Sequence, residues 1–248
     1  MHEPIVDIQV APPVALPSVT ETLILSDVHL GLPACRAAAL LETLKRWRFQ
    51  RLILLGDIFH DLDFRRLNAE HWDLLSHVRK LSNPKRRVEV VWVLGNHDRV
   101  AAKVASHLMG VDVCETFAWE AHGRRHVAVH GDRFDRLITN HPFLSDVGAR
   151  LLAASQRWLR VGPSGVGWMD RRHNRWLGLT AKVRSGAKVM AADRGIDVVF
   201  CGHTHEALHE KLSVGAGSVE YVNTGCWTRR PSHYATVDAA GVRLHACR

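Results

Sequence analysis

Five short stretches of this chain close apolar runs with residues able to bind cations or move protons. They are Asp27-Val28-His29, Gly56-Asp57, Gly95-Asn96-His97-Asp98, His130-Gly131-Asp132 and Gly202-His203-Thr204-His205. A strand that only fills a core ends in turn residues of any kind. These end in carboxylates, an amide and imidazoles, the donors that divalent transition metals accept and the groups used for acid–base work. Any one block could be an ordinary turn, so the signal lies in the recurrence. Asp27, His29, Asp57, Asn96, His130, His203 and His205 are too many donors for one ion. Two ions about 3.5–4 Å apart, sharing one carboxylate, would use them all. Such a pair activates water at neutral pH and stabilises charge on phosphoryl oxygens, which is the chemistry of phosphate-ester hydrolysis. A general acid is then useful at the leaving oxygen, and a histidine beside the pair is the natural choice.

The elements that must position these blocks alternate. Thr20 to Asp27 reads as a buried strand and Ala37 to Trp47 as an amphipathic helix with Leu40, Leu41, Leu44 and Trp47 on one face. Arg51 to Leu55 is a second strand, Phe64 to Leu81 a second helix and Val88 to Leu94 a third strand. This alternation predicts an α/β sheet core, and in open α/β sheets ligands bind beyond the carboxyl ends of strands, where all five blocks fall. A short helix near Val100 to Leu108 precedes strand-like stretches at Val111–Cys114, Thr116–Trp119, Arg125–Val129 and Val198–Cys201. The tail, with Ala207–Lys211, Val219–Asn223, Tyr234–Val237 and Val242–His245, reads as an antiparallel meander.

The chain has 248 residues, 46% hydrophobic and 23% charged, which suits one large globular domain carrying an insertion. No uncharged apolar run reaches the roughly 18 residues a membrane span needs. Residues 1–19, with Pro4, Pro12, Pro13 and Pro17, read as a loose lead-in to a domain over 20–248. The five cysteines, Cys35, Cys114, Cys201, Cys226 and Cys247, are widely spaced without a C-x-x-C, so reduced thiols in a cytoplasmic protein are expected. Cys201 and Cys226 read as small buried residues.

The net charge is +8, which points to an anionic partner. Residues 133–190 hold nine Arg and two Lys against three Asp, so this helical insertion carries the whole excess. It also holds Leu151, Leu152, Trp158, Leu159, Trp168, Met169, Trp176 and Leu177. Three readings of this cap stay open. It could be a packed amphipathic cover with solvated arginines. It could be a lid whose apolar face takes acyl chains while its arginines meet diphosphate and anionic lipid. It could also contact nucleic-acid phosphates with tryptophans stacked on bases. His60, His71, His77 and His107 read as surface or core histidines, and Trp47, Trp72 and Trp92 as core fillers.

The ordered set D-x-H, G-D, G-N-H-D, H-G-D, G-H-T-H resembles the calcineurin-like metallophosphoesterases from about Thr20 to Trp227. The resemblance implies two packed mixed sheets flanked by helices. It also implies two divalent ions, manganese in the first place, with iron or zinc as alternatives in one site. Asp27, His29 and His205 would hold one ion and Asn96, His130 and His203 the other, with Asp57 bridging. His97 would contact the phosphate and protonate the leaving group, and Asp98 would orient its ring. Asn96, His97 and Arg133 would bind substrate. Within the family, Ser26-Asp27-Val28-His29-Leu30-Gly31, His130-Gly131-Asp132-Arg133-Phe134-Asp135 and Asn223-Thr224-Gly225-Cys226-Trp227 are similar to the bacterial UDP-2,3-diacylglucosamine pyrophosphohydrolases. Those enzymes release UMP and an acyl-sugar phosphate, which implies a phosphorylated lipid substrate and a place beside the inner membrane. Two positions depart from the pattern. His60 stands where the family has a carboxylate three residues after the bridging aspartate, and His97 stands where the best-known lipid A enzymes have arginine. The alternatives are a general or cyclic-nucleotide phosphodiesterase, a nuclease, and a scaffold that keeps the fold without catalysis.

Overall fold

The computed structural model describes residues 18–99, 102–135, 178–215 and 217–248. The lead-in up to residue 17 and residues 136–177 of the expected cap lie outside them. In chain order the strands are β1 (Ser18–Val19), β2 (Thr22–Leu25), β3 (Trp47–Arg48), β4 (Arg51–Leu55), β5 (Glu89–Val93), β6 (Asp112–Cys114), β7 (Phe117–Ala121) and β8 (Arg124–Ala128). After the insertion come β9 (Val198–Cys201), β10 (Leu208–Val214), β11 (Gly217–Asn223), β12 (Ser232–Asp238) and β13 (Gly241–Cys247). Among the described residues four helices interleave with them: α1 (Ala37–Arg46), α2 (Ala69–Leu81), α3 (Ala102–Met109) and α4 (Leu179–Arg194).

Two sheets dominate. One has six strands in the order β13-β12-β2-β4-β5-β6, and the other has five in the order β10-β11-β9-β8-β7. The centre of each is parallel: β2, β4, β5 and β6 in the first, β8, β9 and β11 in the second. Antiparallel strands form the other edges, β12 and β13 in the first sheet and β10 and β7 in the second, while β6 is a parallel edge. The period of two along each strand sorts side chains between layers. Ile24, Ile53, Leu55, Val91 and Val93 face inward and meet Ala128, Val198, Phe200 and Val222 between the sheets. Their neighbours Leu23, Leu25, Leu52, Leu54, Val90 and Trp92 face outward, against α1 and α2 through Leu40, Leu44, Leu74 and Val78. Val127, Val199, Cys201 and Tyr221 face outward from the other sheet, against Val183, Ala187 and Met190 of α4. The result is the expected α/β arrangement of two packed mixed sheets flanked by helices.

Four details differ from the sequence reading. The stretch Phe64 to Leu81 is not one helix. A 3-10 turn at Phe64–Arg66 stops at an extended Leu67, and Asn68 then caps α2 by accepting from His71 N–H while the His71 ring receives Asn68 N–H. The tail is not one meander. The β10–β11 hairpin joins the five-stranded sheet beside β9, and the β12–β13 hairpin joins the six-stranded sheet beside β2. The end of the expected cap, up to residue 190, falls within α4. There Leu179, Val183, Ala187 and Met190, at helical spacing, seat the chain on the five-stranded sheet as a core helix. Trp72 does not fill core: it is half exposed on α2, whereas Trp92 is buried.

Candidate active site

All five blocks sit at carboxyl ends of parallel strands. The six-stranded sheet delivers Asp27 and His29 after β2, Asp57 after β4, and Asn96, His97 and Asp98 after β5. The five-stranded sheet delivers His130 after β8 and His203 and His205 after β9. The ladder hydrogen bonds continue past the strands into these loops. Asp27 N–H donates to Gly56 O and His29 N–H to Asp57 O, while Gly202 N–H donates to His130 O. Five of the residues then turn sharply into the left-handed region: Asp27 (φ 53°), His29 (51°), Asp57 (52°), His203 (68°) and His205 (57°). A non-glycine residue there costs on the order of 1–3 kcal/mol and persists where its surroundings over-determine it, which is typical of functional sites. Glycines give the turns room. A Cβ on Gly56 would lie 2.3 Å from His130 Nδ1, and one on Gly95 would lie 2.2 Å from Asp57 Oδ1.

These turns bring the side chains together. Donor atoms of Asp27, His29 and His205 lie within 4.8 Å of one another, as do those of Asp57, His130 and His203. In the first group His29 Nε2 is 3.1 Å from His205 Nε2, and His205 Nε2 is 3.1 Å from Asp27 Oδ1. In the second, His130 Nε2 is 3.3 Å from Asp57 Oδ2, an ion pair without hydrogen-bond alignment. Asp57 Oδ2 is also 4.0 Å from both His29 Nε2 and His97 Nε2. The loops are locked across the sheets as well. His203 N–H donates to Asp27 Oδ2 at 3.0 Å, and His130 Nδ1–H donates to Leu55 O at 2.9 Å, which leaves His130 Nε2 as the nitrogen free for a ligand.

Burial and charge set the protonation states. Burial drives His29 down to about 3 and His203 to about 4, so both are neutral at physiological pH. His130 moves the other way. Burial opposes its charge, but Asp57, together with Asp27 and Asp132, raises it to about 10. Asp57 in turn stays well below the usual carboxylate range, because His130, His97 and His29 outweigh the cost of burying its charge.

The residues fit divalent ions. His29 Nδ1, Asn96 Oδ1 and His203 Nε2 are buried without a hydrogen-bond partner. Such atoms cost free energy unless something binds them. Their mixed nitrogen and oxygen chemistry, with two carboxylates nearby, suits first-row divalent ions. Ions held there supply Lewis-acid activation of water and stabilise charge on phosphoryl oxygens. The chain's own residues do the rest. His97 N–H holds Asp57 Oδ1 at 3.0 Å, fixing the carboxylate between the two donor groups.

One expected role is placed differently. Asp98 does not reach the His97 ring. It is fully buried and accepts from Ile58 N–H, Phe59 N–H, Gly95 N–H and Trp92 Nε1–H, so it braces the Asp57 and Asn96 loops against each other. Burial and then the charge of Asp57 raise Asp98 to about 6. The His97 ring is oriented instead by the backbone carbonyl of His60, which accepts from Nδ1–H at 2.7 Å. Arg133 pairs with Glu115 at 3.1 Å and lines a cavity of about 610 Å³ with Phe134, Lys182 and Arg194.

Two contributors escaped the sequence reading. His60, expected on the surface or in the core, stacks on His97 with centroids 5.4 Å apart. Asn223 braces the His203 turn through Nδ2, which donates to Gly202 O at 2.7 Å and Thr204 Oγ1 at 3.1 Å. The signal for Asn223 was its place in Asn223-Thr224-Gly225-Cys226-Trp227. Trp227 N–H donates to Asp27 O, and Ser26 Oγ pairs with Thr224 Oγ1 at 2.7 Å.

Residues 21–207 match the calcineurin-like phosphoesterase family, three quarters of the chain, and the chain belongs to that family. It is therefore a metal-dependent phosphoesterase with two histidine–aspartate clusters able to hold divalent ions. Among solved structures, a novel archaeal phosphodiesterase shares 16% identity, covering 91% of this chain and 98% of its own, with a TM-score of 0.48. A conserved phosphoesterase-like protein of Streptococcus pneumoniae shares 14% over 92% and 97%, with a TM-score of 0.41. The nuclease MPE of Pseudomonas putida shares 18% over 90% and 87%, with a TM-score of 0.38. No curated protein matches the chain. No helix among the described residues is long and apolar enough to cross a membrane.

Proposed function

We propose that the chain hydrolyses a phosphodiester or diphosphate bond with two divalent ions. Asp27, His29 and His205 hold one ion, Asn96, His130 and His203 the other, and Asp57 lies between them. The observation that carries this reading is Asp57 Oδ2, 3.3 Å from His130 Nε2 and 4.0 Å from His29 Nε2. One carboxylate thus borders both donor groups. Manganese suits the mixed oxygen and imidazole donors, with iron or zinc as the alternative where imidazole predominates. His97 is the general acid. Its Nδ1 is taken by the His60 carbonyl, so Nε2, 4.0 Å from Asp57 Oδ2, is the nitrogen available to the leaving oxygen.

The substrate proposed is UDP-2,3-diacylglucosamine, cleaved to UMP and an acyl-sugar phosphate. Support comes from the likeness of Ser26–Gly31, His130–Asp135 and Asn223–Trp227 to that branch, and from the basic excess confined to residues 133–190. A cytoplasmic setting, with those arginines meeting anionic lipid, completes the reading. The test is phosphorus NMR of the manganese-loaded protein with this substrate in detergent. UMP and acyl-sugar phosphate should form, and should be lost in Asp57→Ala. No turnover, with brisk hydrolysis of a simple aryl phosphodiester, would keep the two-ion chemistry and reject the lipid. Steeply salt-dependent cleavage of DNA would point to a nuclease instead.

A further inference from the structure

The loop that carries Asp57 continues into a third group of imidazoles. Donor nitrogens of His29, His60 and His97 lie within 4.8 Å of one another. Their rings form a near-regular triangle, with centroids 5.2 Å apart for His29 and His97, 5.4 Å for His60 and His97, and 5.9 Å for His29 and His60. The His29 ring stands edge-on to both partners, at 90° and 69°. His97 Nδ1 is already committed to the His60 carbonyl, so His97 brings Nε2 to the group. His60 Nδ1 and His29 Nδ1 are both buried with no hydrogen-bond partner. Burying an imidazole nitrogen unsatisfied is unfavourable, and three imidazoles around one point present only neutral nitrogen donors.

We propose that His29, His60 and His97 form a third cation seat, suited to zinc and similar ions of borderline softness, whose occupation takes His97 out of the reaction. Its three donors are all imidazoles, with Asp57 Oδ2 4.0 Å from His29 Nε2 and His97 Nε2, so it favours zinc over hard ions such as magnesium and manganese. An ion there occupies His97 Nε2, the atom assigned above to the leaving oxygen, so excess zinc inhibits turnover. This last consequence rests on the proposed role of His97, while the seat itself does not. His29 belongs to two groups, so the seat competes with the Asp27–His29–His205 group for that ring. That competition makes the third ion weaker than the first two.

The experiment is equilibrium dialysis of the full chain against increasing zinc, with bound metal counted by mass spectrometry. Hydrolysis of an alkyl phosphodiester, whose poor leaving group needs the acid, by the manganese-loaded protein is followed in parallel. The variant is His60→Phe, which keeps the backbone carbonyl on His97 and an aromatic ring beside it. His60→Asn is the second variant, and circular dichroism establishes that each folds. The wild type should take up a weak third equivalent of zinc as activity falls. Both variants should stop at two equivalents and need about tenfold or more additional zinc for the same inhibition. Wild type saturating at two equivalents, or folded variants that still bind a third, would overturn the seat. Third-equivalent binding that leaves turnover unchanged would overturn the inhibitory role alone. Fewer than two equivalents in the wild type would count against the two-ion reading, a separate outcome.

Discussion

The two sheets contribute unlike halves of the site. The six-stranded sheet supplies both carboxylates, Asp27 and Asp57, with the Asn96 amide, His29 and His97. The five-stranded sheet supplies imidazoles only, from His130, His203 and His205, while its nearby Asp132 pairs with Arg99 at 3.1 Å. Neither half completes either seat of the proposed two-ion pair. Asp27 and His29 need His205, and Asp57 needs His130 and His203. The same division explains why two histidines of one sheet move in opposite directions. His130 Nε2, 3.3 Å from Asp57, is raised to about 10, whereas burial carries His203 down to about 4. The site is a property of the packing between sheets, and the cross-sheet bonds His203 N–H to Asp27 and His130 Nδ1–H to Leu55 O hold it ready.

Removing the shared carboxylate should break the comparison outright. Asp57→Ala is expected to abolish turnover, by about a thousandfold or more, because it removes stabilisation from both seats at once. Bound metal should fall to one ion per chain or none, and a variant with full activity would end the two-ion reading. Next, His97→Ala should slow diesters with poor leaving groups by about a hundredfold or more, while nitrophenolate release is scarcely affected, since a good leaving group needs no acid. Equal losses on both would remove that role. Gly95→Ala asks how tightly the six-stranded half is built. Its methyl would press on Asp57 Oδ1, and a misplacement of about 1 Å costs on the order of a hundredfold in rate. Metal titration should show weaker binding, and wild-type kinetics would mean the loop can yield.

Phe200→Ala loosens the contact between the halves without touching a ligand. Phe200 is fully buried between the sheets and stacks on Trp119 at 5.7 Å. Its loss should cost about 3–5 kcal/mol. Thermal melting of the ion-free protein should drop accordingly, and added metal should recover part of the loss by binding only the folded state. An unchanged melt would show that the sheets do not depend on this contact.

The ligand blocks were legible because each is local: an apolar run and the two to four residues after it. The apolar runs of β2, β4 and β5 were legible for the same reason, but which residue faces which layer was not, because both faces of these strands are buried. Long-range choices were not. The strands β11 and β12 carry similar alternating patterns, and nothing local says that one pairs with β9 and the other with β2. Orientation within a block was not legible either. The neighbour relation of His97 and Asp98 suggested a pair, yet the tight turn sends the carboxylate inward to four N–H donors and leaves the ring to a backbone carbonyl 37 residues earlier. His60 escaped because its side chain follows no apolar period and its role depends on the fold of the Asp57 loop.

The smallest effect expected is also the one that separates those two readings of Asp98. In Asp98→Asn the shape is kept, but an NH2 now faces some of the donors from Ile58, Phe59, Gly95 and Trp92. One or more of those buried N–H groups is left unsatisfied, at about 1–3 kcal/mol. Thermal or denaturant unfolding should register that loss directly. Turnover under conditions where the variant is folded should stay within about tenfold of wild type, because the His97 ring keeps its bond to the His60 carbonyl. The pH profile of kcat/KM should keep its shape. If Asp98 oriented the ring, the profile would shift and poor leaving groups would suffer selectively, as in His97→Ala. A stability loss with an unshifted profile would make Asp98 a brace between the Asp57 and Asn96 loops, and so a part of the six-stranded half alone.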